Sequence, residues 1–200
     1  MAGHIFKELK AHAPFTVFGA ITGIIIMIFF LKLPYKVSYN IFYVFHPLHV
    51  FLSALVTAGM YKIYRGKCNF FVLIVIGYFG SVGIATISDS VIPYAAEFLL
   101  GMPNRELHLG FIEKWWLVNP LAIAGVAFAY YKPTTKFPHS LHVLLSTWAS
   151  LFHIIMAKGS ALSWIAYVAI FIFLIIAVLL PCCVSDIVFP LLFVKNGKKK

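Results

Sequence analysis

Two short phrases hold most of the chain's chemically capable residues. "HPLHVFLS" at residues 46–53 returns as "HSLHVLLS" at 139–146, identical at six of eight positions. Each is followed, one helical hairpin later, by a Ser-Asp-x-Val-x-Pro motif: "SDSVIP" at 88–93 and "SDIVFP" at 185–190. Histidines three apart share a helix face. If the helix after each phrase returns to its starting level, an aspartate comes back beside them. The sequence thus predicts two His-His-Asp clusters, His46, His49 and Asp89 at one membrane face and His139, His142 and Asp186 at the other.

Two imidazoles and a carboxylate suit zinc, iron or another divalent first-row ion. Glu97, Glu106, His108 and Glu113, all in the 94–114 segment, are candidates to complete the first cluster. Four of the six acidic residues (Asp89, Glu97, Glu106, Glu113) fall on that side. A purely structural use competes with this: a buried Asp–His hydrogen bond can lock two hairpins together, and Ser-Asp is an ordinary helix-capping pair. A third use is haem b ligation. If the two His-bearing helices run antiparallel, His49 faces His153 and Met60 faces His142, both known axial pairs for haem iron.

Histidine and aspartate of this kind must be positioned by apolar elements. The chain is 62% hydrophobic and 11% charged, with mean hydropathy +0.95; soluble domains carry about 25% charged residues. Six apolar runs approach the ~20 residues that cross a bilayer: 15–31, 47–63, 70–88, 115–131, 139–157 and 161–180. The first lacks a cleavage pattern and reads as a retained helix. Short connections leave no room for a soluble domain. The fold class expected is an all-α polytopic membrane protein.

The paired phrases extend into a tandem repeat, with "AITG" at 20–23 echoed by "AIAG" at 122–125 and Lys32 and Pro34 echoed by Lys132 and Pro133. The organisation expected is a cytoplasmic basic amino terminus (1–14), a first three-helix repeat (15–93), an extracytoplasmic connecting segment (94–114), a second three-helix repeat (115–190) and a basic tail (191–200). Three crossings is an odd number, so the copies take opposite orientations, the inverted-repeat plan of many transporters. Eleven of the sixteen Lys and Arg residues then fall on the side of both termini, which makes that side cytoplasmic.

Finer features follow from the same pattern. Pro47, suited to a first helical turn, marks the start of the second helix and leaves 37–45 as an interfacial aromatic segment; 93–102 is too short to span and reads as re-entrant. Ser53 and Ser146 sit one turn after each second histidine and suit interhelical hydrogen bonds. Cys68, Cys182 and Cys183 read as small hydrophobes near a reducing cytoplasmic face, with soft-metal binding as the alternative for the vicinal pair Cys182–Cys183.

The function these residues favour is movement of a divalent cation, with protons as counter-ions. Two alternatives stand beside it. One is a membrane-embedded metalloenzyme in which a metal-bound water attacks a lipidic or small substrate and Glu97 or Glu113 is the base. The other is a dihaem electron carrier or redox-complex anchor. The partners expected are the bilayer and the cation, with a homodimer or larger membrane complex left open. The charge of +10 needs no nucleic acid, since anionic lipid at the inner face suffices.

Overall fold

The structure, a computed structural model, describes residues 2–30, 32–134, 136–159, 162–184 and 188–194; at 2–9, 11–12, 136–140 and 183 only the backbone is described. Among these residues every regular element is helical: α1 (Ala2–Phe29), α2 (Tyr35–Arg65), α3 (Phe70–Leu99), α4 (Gly110–Glu113), α5 (Trp115–Tyr131), α6 (Lys136–Ala157), α7 (Trp164–Cys183) and α8 (Phe189–Leu192). Three are long and apolar enough to cross a membrane: α2, α3 and Trp164–Cys182 of α7. Three shorter apolar helices, Ala13–Phe29, Trp115–Tyr131 and Leu141–Ala157, accompany them. This apolar, all-helical build is compatible with a bilayer.

Local chemistry sets the helix ends. The Asn69 side chain accepts from the amide of Phe71 at 2.8 Å and caps α3; Ser163 caps α7 through the amide of Ala166 at 3.2 Å. Gly66 closes α2 at φ +75°, with its amide bonded to Lys62 O, a conformation that costs glycine little.

α2 begins at Tyr35, twelve residues before Pro47, so the interfacial segment expected over 37–45 is instead its first turns. Proline removes one helical donor, and a helix packed on several sides tolerates that. His49 therefore lies half-way along α2 instead of near its start. Residues 93–99 likewise do not turn back: α3 runs on through Pro93 to Leu99.

α3 widens into π-helical turns at Phe79–Gly83 and Ile87–Val91. The second has a cause in the motif. Pro93 stands four residues after Asp89, so the Asp89 carbonyl lacks its α-helical donor, and a wider turn absorbs the defect. Val184 and Val188, which flank the second Ser-Asp pair, are π-helical as well.

α2 and α6 form the central pair. α5 packs on α2 and α3; α1 packs on α6 and α7; the carboxyl-terminal part of α3 packs on α6 and α7, and α8 on α2. Gly125 makes the α5–α2 approach possible, since a Cβ there would overlap the carbonyl oxygen of Phe51. Along α2 the buried positions include Ser38, Phe42, His46, His49, Ser53 and Thr57; along α6 they include His142, Ser146, Ser150 and His153. Spacings of three and four place each set on one face. Groups of this kind, once buried, need hydrogen-bond partners within the protein. α7 presents Ile165, Val168, Ile172, Ile176 and Leu180 outward.

Candidate functional site

At the centre lies Asp89, fully buried. Its Oδ2 accepts from His46 Nδ1 at 2.9 Å and from His49 Nδ1 at 2.7 Å. Its Oδ1 accepts from the hydroxyls of Ser88 at 2.6 Å and Ser146 at 2.7 Å. Ser150 donates to the Ser88 carbonyl at 2.9 Å, which occupies another acceptor of the widened turn. Three helices meet here: α2 supplies the imidazoles, α3 the carboxylate and Ser88, α6 the other hydroxyls. The interhelical bond expected of Ser146 is formed.

Four donors on one carboxylate suit its ionised form. They also change its expected role. Both Asp89 oxygens are engaged, so Asp89 acts on the imidazoles rather than as a first ligand. By taking Nδ1–H it fixes the tautomer of His46 and His49 and leaves Nε2 of each as the atom with a lone pair. A carboxylate behind a histidine is the common supporting arrangement in metal sites.

The His49 ring stacks on that of His142, with centroids 5.6 Å apart and planes 8° from parallel. Ligand atoms of His49, His142 and Cys182 lie within 4.8 Å of one another, all three residues buried. Two clusters expected at opposite faces thus share a histidine contact, because α2 starts earlier than Pro47 suggests and carries His49 to mid-helix. His139 is described in backbone only, and Asp186 lies outside the described residues.

A second group continues from the first. The His46 ring stacks on Phe42 (5.2 Å, 8°), and Phe42 meets His153 edge-on at 5.4 Å. His153 Nδ1 donates to Glu97 Oε1 at 2.6 Å, both side chains buried. The ring of His108 lies 5.3 Å from that of His153. His108 Nδ1 bonds Glu113 Oε2 at 3.2 Å, Tyr43 donates to the same oxygen at 2.7 Å, and Tyr35 donates to Glu106 at 3.0 Å. Glu106 is 63% exposed and borders an open cleft of about 650 Å³ with Tyr35, Asn104 and Arg105. Polar side chains thus lie on both sides of Phe42: His153, Glu97 and His108 toward this exposed mouth, and His46, Asp89, His49 and Cys182 beyond it. The unpartnered buried atoms among them include His46 Nε2, His153 Nε2 and Glu97 Oε2.

His46, His49 and Asp89 come together as expected. Glu97 and His108 do not join them: Glu97 is one turn past Pro93 on α3, and it reaches His153, while His108 is held by Glu106 and Glu113. The residues offered as axial haem ligands have these neighbours. His49 meets His142, His153 meets Glu97 and His108, and half-buried Met60 lies eleven residues further along α2, about 16 Å from His49.

Cys182, which the sequence reading favoured as a small hydrophobe, is the residue that joins the two histidines. One signal for it exists: at the position four before each motif aspartate, the first copy has Ala85 and the second Cys182. The chain matches no protein-family profile, no curated protein and no solved structure.

Proposed function

We propose that this protein carries a divalent metal ion across a membrane through the polar side chains between α2 and α6, with protons moving on the same groups. The observation that carries the reading is the His49–His142 stack, in which the matching second histidines of the two repeated phrases meet at the centre of the molecule. Equivalent residues touch each other where a two-fold axis passes.

The packing supports the same relation. Exchanging α1 with α5, α2 with α6, and α3 with α7 and α8 turns the contact α2–α5 into α6–α1, α2–α3 into α6–α7, and α3–α5 into α7–α1, each of which is present. On this reading the six apolar helices are six crossings in two inverted repeats, and both termini are cytoplasmic. Inverted-repeat carriers bind their cargo near the mid-plane, at the repeat interface, and the position of His49 half-way along α2 supports such a site here. Glu106, Glu113 and His108 then form the outer entrance, and the His153–Glu97 pair is the proton-exchanging group between entrance and centre.

The test is uptake of Zn²⁺ into proteoliposomes, read with an enclosed fluorescent indicator. Wild type is expected to take up the ion under an outward or inward pH gradient, and Asp89→Ala to lose most of that uptake. No uptake by wild type in either orientation, or uptake unchanged in Asp89→Ala, overturns the reading.

A further inference from the structure

We infer that His49, His142 and Cys182 are the direct ligands of a zinc-class cation, with Asp89 as the positioning residue behind His49. This rests on the cation reading above and names the ion class it applies to.

Three observations lead to it. First, these three side chains come from three helices, α2, α6 and α7, and bring their ligand atoms within 4.8 Å of one another. Zinc bonds of about 2.0–2.1 Å to nitrogen and 2.3 Å to sulfur put tetrahedral ligands about 3.4–3.6 Å apart. Closure therefore needs shifts of about 1 Å, within reach of small turns of two rings and one thiol. Second, His49 Nδ1 is committed to Asp89 at 2.7 Å, so Nε2 is its coordinating atom, and the carboxylate supplies negative charge next to a dehydrated cation. Third, the donor set is two imidazoles and a thiolate. That set selects borderline-soft ions such as Zn²⁺ and rejects Mg²⁺ and Ca²⁺, which require oxygen ligands.

Three protein ligands leave the fourth tetrahedral position for water or for an exchanging group. A closed structural zinc site has four. Three suit an ion that must arrive and leave, and they explain why the repeat departs from itself at this point. The copy with Cys182 supplies a sulfur ligand where the copy with Ala85 supplies none.

The test uses Co²⁺ alone, added to the detergent-purified full chain, with the near-ultraviolet thiolate-to-cobalt charge-transfer band as readout. Wild type is expected to show that band at a single site per chain. It should vanish in Cys182→Ser, persist in Cys68→Ser and Cys183→Ser, and be displaced by Zn²⁺ but not by Mg²⁺. Cys182→His guards against misfolding: it should restore visible Co²⁺ absorption without the sulfur band. A wild-type protein that binds Co²⁺ without the band, keeps the band in Cys182→Ser or binds no Co²⁺ overturns the assignment. The outcomes separate the two proposals. A sulfur band without Zn²⁺ uptake sinks transport and leaves the site standing; uptake without a sulfur band does the reverse.

Discussion

Replacing Asp89 distinguishes a hydrogen-bond lock from a group that also serves an ion. In Asp89→Ala, four donors lose their acceptor. The hydroxyls have others nearby: Ser88 Oγ is 3.2 Å from the Ala85 carbonyl, and Ser146 Oγ is 3.2 Å from Ser88 Oγ. The imidazole N–H of His46 does not. Moving the proton to Nε2 gives His46 no relief, since that atom is buried without a partner. One orphaned donor gives a loss of about 1–3 kcal/mol. Asp89→Asn behaves differently. Its carbonyl accepts from the imidazoles while its amide donates to hydroxyls that rotate, so only charge assistance is lost, about 1–2 kcal/mol. The neutral amide cannot offset a cation, however, and Zn²⁺ affinity should fall about 10- to 100-fold, as is usual when a group supporting a metal ligand is changed. Thermal unfolding in detergent measures the first quantity and competitive Zn²⁺ titration the second. An unshifted melting temperature for Asp89→Ala refutes the cage. Equal Zn²⁺ affinity in Asp89→Asn and wild type leaves Asp89 as a lock that does not support the ion.

Other substitutions probe the surroundings. Glu97→Gln keeps an acceptor for His153 and should melt near wild type while uptake loses its dependence on a pH gradient; Glu97→Ala orphans the His153 donor and should cost about 1–3 kcal/mol. Uptake by Glu97→Gln that still follows the gradient removes this pair from proton exchange. Gly125→Ala drives a methyl into the Phe51 carbonyl and should lower stability by about 1–3 kcal/mol through separation of α5 from α2; a neutral result means the helices are not so close. In Gly110→Ala the new Cβ would stand 2.5 Å from His46 Nε2, so the ring must move from Asp89, and uptake should fall more than the melting temperature does. Tyr43→Phe removes the 2.7 Å bond to Glu113 and should cost about 0.5–1.5 kcal/mol, measured by the same thermal unfolding.

The sequence by itself determined the helical, apolar build and the polar faces of α2 and α6. It also paired His46 and His49 with Asp89. Spacing of three or four residues fixes which side chains share a face, whatever surrounds the helix. Proline and aspartate four residues apart likewise foretell a defect in the backbone ladder, and the π-helical turn at Asp89 answers it. Depth and register were decided elsewhere. Pro47 looks like a helix start to any local rule, yet α2 passes through it because neighbouring helices hold the chain on both sides, and His49 moves to mid-helix. The meeting of His49 with His142 and Cys182, and of Glu97 with His153, then depends on how far α6 and α7 slide along α2 and α3. Small residues such as Gly125 and Gly77 set how closely the helices approach, and a polar group buried away from water costs most when left unpaired. Together these interhelical contacts fix which buried side chain finds which partner.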